Sequence, residues 1–317
     1  MDETASTLKL ALPQVERPAC PDTMPFCFLA ALILLYYYMG SPELLNGAVL
    51  IVFLVGLGFF AGAYGTLVGI GGAVVLTPIL LLIYPGADPR VLTSITMAVV
   101  FINALSGTAA YMRLRRIDYR SGFLFAIATV PGTVLGVWVL GHIPQKTFES
   151  IFGAALLMFS VLIWTKPRRT VSFASGRGAP VAITDRHGEI FSYSVNRPLG
   201  VALSFATGFI AGLLGIGGGI IHMPALIYLL GFPAHVATAT SHFILVFTGL
   251  TGTLTHAVSG AYAQVWTILL PIAAGVIPGA QLGAWLSRRV KGPLLMRLLA
   301  LALAMAGARM LVLGIIG

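Results

Sequence analysis

Charge is scarce in this chain. Its 19 Lys and Arg and 10 Asp and Glu make up only 9% of 317 residues. A soluble domain needs roughly a quarter of its residues charged to coat its surface. The composition therefore excludes a water-exposed globule and makes lipid part of the solvent. Cysteine is nearly missing as well. Cys20 and Cys27 are the two present, with no His or Cys cluster nearby, so neither a disulfide framework nor a metal centre is supported and no cofactor or metal is expected. No acidic residue falls in the middle of an apolar run, which argues against a cation site lined by carboxylates. The alternating segments of about ten residues that mark an outer-membrane barrel are missing too.

What is present is apolar: 58% of the residues are hydrophobic, and the mean hydropathy is +0.95. Apolar runs of about 20 residues fit spanning helices, which satisfy their own backbone hydrogen bonds in lipid. The expected fold is an all-α polytopic transmembrane bundle. The net charge of +9 sits in short loops beside apolar runs, which encodes orientation. The partner it implies is the lipid bilayer, and no nucleic acid is expected.

Residues 1–23 read as a loose cytoplasmic tail. Run 24–39 lacks a basic leader and a small-x-small cleavage signal, so 24–43 reads as an extra N-terminal transmembrane helix. Apolar runs 44–66, 74–84, 91–111, 121–140 and 147–164 fill a first unit, 44–165. The polar stretch 166–197 reads as a cytoplasmic loop. Inside it, 181–184 and 190–195 alternate in polarity around a turn at His187 and Gly188, as in a small β-hairpin. Runs 198–214, 220–230, 234–256, 262–286 and 294–315 fill a second unit, 198–317.

The two units are repeats. Gly69-Ile70-Gly71-Gly72 with Pro78 matches Gly215-Ile216-Gly217-Gly218 with Pro224, 146 positions on. Thr93 and Gly107 match Thr238 and Gly252 at an offset of 145, and Pro131-Gly132 and Trp138 match Pro278-Gly279 and Trp285 at 147. The basic loop Arg113 to Arg120 has an uncharged counterpart at 258–264. Basic charge reappears one helix later, at Arg288, Arg289 and Lys291. Cytoplasmic loops carry the basic residues, so the fourth helices of the two units are expected to run in opposite directions. That is an inverted-topology repeat, with the N-terminus cytoplasmic and the C-terminus outside.

Paired glycine interruptions at corresponding positions point to a transporter's binding site. Gly69, Gly71 and Gly72, with Gly215, Gly217, Gly218 and Gly219, would let the backbone turn sharply and approach a ligand. The short helices that follow begin with unsatisfied N–H groups and positive dipole ends, which suit an anion. Close helix packing is the blander explanation for any one of these segments; their symmetric placement favours broken helices. Gly132 with Gly136 and Gly279 with Gly283 read as packing faces. Thr93, Thr96, Asn103, Thr240 and Ser241 lie on equivalent apolar helices and are candidate donors to the anion, although hydroxyls there often back-bond to their own helix. His222 and His242 are candidates for proton coupling, against the alternative of neutral, hydrogen-bonded histidines. His256 suits the outer interface, His235 a loop, and Arg309 a snorkelling position near the last helix end.

At these segments the sequence resembles the TauE/SafE sulfite exporters, also called sulfonate-uptake permeases. Gly208 to Pro224 matches that family's repeated signature closely, and 62–78 more loosely, with Ala73 where the second copy has Gly219. Ala237-Thr238-Ala239-Thr240-Ser241 is similar to a second motif. The resemblance spans about residues 48–316 and implies a plasma-membrane carrier of a small anionic substrate such as sulfite, sulfoacetate or another organosulfonate, with proton coupling. An anion channel and a carrier of small carboxylates remain open. An intramembrane hydrolase on Ser241 or Ser259 is disfavoured, because no His-Glu-x-x-His or Gly-x-Ser-x-Gly motif is present, and no enzyme activity is expected. Homo-oligomerisation is left open.

Overall fold

Among the described residues, helices form over the predicted apolar runs, and polar side chains cap the starts of three of them. In a computed structural model, residues 47–84, 87–165, 179–186, 188–263, 265–287, 300, 303–304, 307–308 and 311–312 are described. The tail, the 24–43 run, both cysteines and Arg309 lie outside them. The helices are α1 (Gly47–Val68), α2 (Ala73–Ile83), α3 (Pro89–Leu114), α4 (Tyr119–Leu140) and α5 (Gln145–Thr165), then α6 (Arg197–Leu214), α7 (Gly219–Tyr228), α8 (Ala234–Val258) and α9 (Trp266–Leu286). Between α5 and α6, strands β1 (Ala179–Thr184) and β2 (Ile190–Val195) pair antiparallel, with Thr184 opposite Ile190. Asp88 caps α3, Asp118 caps α4 and Asn196 caps α6, each accepting a backbone N–H of the first turn. These caps satisfy donors that a helix start leaves bare.

Five helices, among them α3, α4 and α9, are long and apolar enough to cross a bilayer. The chain is an all-α multi-pass membrane protein. Large apolar side chains such as Val52, Ile127, Trp138, Trp164, Leu270 and Trp285 face outward, an arrangement that lipid rather than water stabilises. The inner helices are α3 and α8, whose buried residues run along most of their length. They lie against each other antiparallel: Gly107 faces His242, Gly249 the backbone of Phe101, and Gly252 the sulfur of Met97.

Among the described helices, the main contacts of one half have counterparts in the other. α1 packs on α9 as α6 packs on α4, and α9 touches α3 as α4 touches α8. The four-spaced glycines make these contacts possible. Gly132 and Gly136 abut the backbone of Phe205 and Phe209, while Gly279 and Gly283 abut that of Phe59 and Ala63. A methyl group at any of them would meet a neighbouring carbonyl, which is how small residues let helices approach in lipid. Two sequence expectations need adjusting. Residues 262 and 263 lie in a turn, with α9 starting only at Trp266. His235 is in the first turn of α8, not in a loop.

Candidate functional site

α2 and α7 decide where the site lies. Their 11 and 10 residues reach only about 15–17 Å at 1.5 Å per residue, half of a hydrocarbon core of about 30 Å. Each follows a longer helix after a glycine turn, and the two turns have one conformation. Gly69, Gly71 and Gly72 have φ of 85°, 88° and 76°, and Gly215, Gly217 and Gly218 have 69°, 74° and 75°. All six are in the left-handed region that glycine alone enters without steric cost. Gly72 and Gly218 are the N-caps of α2 and α7, and neither start has a side-chain cap. Among the described residues, the N–H groups of Gly219 and Ile220 at the start of α7 have no backbone acceptor.

The two turns abut. A side chain on Gly219 would lie 2.7 Å from the backbone of Ile70. Each turn also presses on the third helix of the other half: a Cβ on Gly69 would sit 2.9 Å from Thr238 Cγ2, and one on Gly215 2.7 Å from Thr93 Cβ. Gly217 faces Val100 and Gly71 faces Leu245, two residues near the middle of α3 and α8. Both turns are fully enclosed, with Ile70, Ile216, Val100 and Leu245 all buried.

The predicted donors divide into groups. Thr93 and Thr96 are buried, but their hydroxyls donate to carbonyls of their own helix, Pro89 and Leu92 among them. Thr240 accepts the backbone N–H of Asp118. Ser241 alone among these hydroxyls reaches a turn, donating to the carbonyl of Gly69 at 3.2 Å. Asn103 Oδ1 accepts from Thr66 Oγ1 at 2.9 Å. His242 Nε2 lies 3.2 Å from the same hydroxyl, its ring edge-on to Tyr111, and Tyr111 donates to the carbonyl of Thr66. His222 sits apart, 3.3 Å from both Ser204 and Thr207. His256 is buried in the last turn of α8. Ser241 and His242 point to different partners, so they form no nucleophile–base pair.

Sequence reasoning missed Thr66, Tyr111, Val100 and Leu245. Thr66 adjoins the glycine segment, and Val100 and Leu245 are 145 positions apart like other matched residues, which is the signal that could have found them. It also missed a clasp at the end of α3. Arg116 and Asp185 make a buried ion pair at 2.9 Å, Tyr193 donates to Asp118, and the N–H of Arg186 donates to the carbonyl of Leu114. The hairpin is thereby fixed to the basic loop, and its inner face packs on Phe232 and Val236. Burial, reinforced by the neighbouring Asp118 carboxylate, holds the Tyr193 phenol well above its usual range, so it remains a donor at neutral pH.

Residues 54–310 match the family model described as Sulfite exporter TauE/SafE. The chain is 32% identical over 270 residues to the Probable membrane transporter protein YunE of Bacillus subtilis, covering 83% of this chain and 98% of that one. It is 26% identical to YjnA of the same organism, also a probable membrane transporter protein, over 80% and 97% of the two chains. Sulfite exporter TauE/SafE family protein 5 of Arabidopsis thaliana is 27% identical over 105 residues, 33% of this chain and 22% of that protein. No solved structure matches.

Proposed function

The chain belongs to the sulfite exporter TauE/SafE family of membrane transporters, and from that premise we propose that it is a plasma-membrane carrier of a small sulfur oxyanion or organosulfonate such as sulfite or sulfoacetate. The anion binds between the two glycine turns. Bare amide hydrogens and two helix N-termini supply positive potential there without a full charge, so the cargo is attracted but not trapped. The observation that carries this reading is the direct contact of the two turns, each with three left-handed glycines and each seated on the other half's third helix. The antiparallel crossing of the equivalent helices α3 and α8 supports an inverted repeat, in which exchange of conformation between the halves exposes the site to either side. In this reading the hairpin and the basic loop are cytoplasmic, the 258–264 loop faces outward, and His222 and His242 are the groups that would carry a coupled proton.

A thermal-shift screen of purified protein with sulfite, thiosulfate, sulfoacetate, taurine, sulfate and small carboxylates tests the cargo. Sulfur anions are expected to raise Tm, and Ser241→Ala, which releases the Gly69 carbonyl, to weaken that rise. Protection by carboxylates alone would reassign the substrate. In proteoliposomes, labelled sulfite should accumulate by counterflow; current without exchange would mark a channel.

A further inference from the structure

We propose that the anion is held on one arm of the site, by the N-terminus of α2 together with the side-chain amide of Asn103, and that Thr66 is the positioning residue for that amide. The inference rests on the anion-carrier reading above and adds which half grips the cargo.

Asn103 is fully buried. Among the described residues its Nδ2 has no hydrogen-bond partner, and it lies 3.4 Å from where a Cβ of Gly72 would be. Gly72 is the left-handed N-cap of α2, which has no side-chain cap of its own. An unpaired amide donor thus stands beside a helix start where Ala73 donates to the carbonyl of Gly71 but, among the described residues, the N–H groups of Gly72 and Val74 have no backbone acceptor. A buried donor left unpaired is costly, and an anion oxygen would satisfy both the amide and the free N–H groups. Thr66 fixes the arrangement. Its single hydroxyl hydrogen is committed to Asn103 Oδ1, which turns the NH2 end toward Gly72. The contact from His242 Nε2 to Thr66 is then a donation by the imidazole, and it holds the hydroxyl in place.

Among the described residues, the second half has a bare helix start at Gly219 and Ile220 but no side-chain amide beside it. The positions equivalent to Thr66, Asn103 and His242 are Gly212, Thr248 and Met97. The single hydroxyl hydrogen of Thr248 has its acceptors in Thr129 Oγ1 at 3.1 Å and the carbonyl of Ile244 at 3.3 Å, so it is engaged with α4 or its own helix. Gly212 and Met97 bring no donor. Both turns make aliphatic contacts, Gly217 against Val100 and Gly71 against Leu245, so the amide of Asn103 is what distinguishes the first half.

The test gives each half the other's residue. Affinity for sulfite and sulfoacetate is measured by thermal shift and by proteoliposome uptake. Asn103→Thr, which installs the second half's residue, is expected to weaken binding by about tenfold, the loss of one hydrogen bond to a charged group. Thr248→Val is expected to bind like the wild type. Thr66→Val should weaken binding several-fold with the maximal rate little changed, and Thr66→Ser should restore it, which a merely structural role for the hydroxyl's neighbours would not produce. Equal losses at Asn103 and Thr248, or wild-type affinity in Asn103→Thr, would overturn the one-armed site while leaving the carrier reading intact. Should no anion shift the wild-type protein itself, the carrier reading fails first.

Discussion

At the scale of single residues, the six left-handed glycines make the sharpest predictions, because the same backbone meets different surroundings. A Cβ on Gly217 would sit 2.6 Å from Val100, whereas one on Gly71 would sit 3.2 Å from the tip of Leu245. Both alanine substitutions incur the left-handed penalty of about 1–2 kcal/mol, but only Gly217→Ala also collides with a stiff β-branched side chain. Gly217→Ala is therefore expected to lower Tm more than Gly71→Ala. Val100→Ala should rescue part of the Gly217→Ala loss, read as a positive coupling in a double-mutant cycle of thermal unfolding. Equal losses with no coupling would mean that the turn relaxes away from α3. The glycines could be picked out in the sequence because three in four residues interrupt an apolar run. Val100 and Thr66 could not, since a valine among apolar residues, or a threonine able to bond its own helix, carries no sign of which neighbour it will meet.

At the scale of elements, the clasp between the hairpin and the α3–α4 loop is the part most exposed to a simple test. Arg116 and Asp185 are both nearly inaccessible. Removing one partner leaves a buried charge uncompensated, at a cost of about 3–5 kcal/mol. Arg116→Leu is accordingly expected to lower Tm markedly, and the double variant Arg116→Leu with Asp185→Leu to recover much of it. A single substitution without effect would show that the pair is solvated. The alternating polarity of 181–184 and 190–195 is the period of a strand, and it is readable locally. The partner of Asp185, 69 positions away, is not, because a basic loop offers Arg113, Arg115, Arg116 and Arg120 with nothing in their order to choose among them. Helix lengths were nearly as legible: α3 and α8 exceed the apolar runs by a turn or less, where Asp88 and Pro89 start one and Pro233 precedes the other.

For the whole molecule, the proposed inverted topology predicts which loops share a side of the membrane. With Cys20 and Cys27 replaced by Ser, an impermeant thiol reagent should label Arg186→Cys, in the hairpin, only in inside-out vesicles. Ser259→Cys, just past α8, should be labelled only in intact cells. Labelling of both from one side would remove the inversion and with it the alternating-access reading. The sequence by itself determined that lipid is the solvent, where the helices run, and that two matched glycine interruptions occur, because composition, apolar length and spacing are local properties. Only the tertiary structure decided that the turns touch, that each rests on the opposite half's third helix, and that Thr66, Asn103 and His242 join on one side alone. Those are meetings between segments more than 30 positions apart, and a repeat that places equivalent residues symmetrically leaves the choice of side to the few positions where its two copies differ.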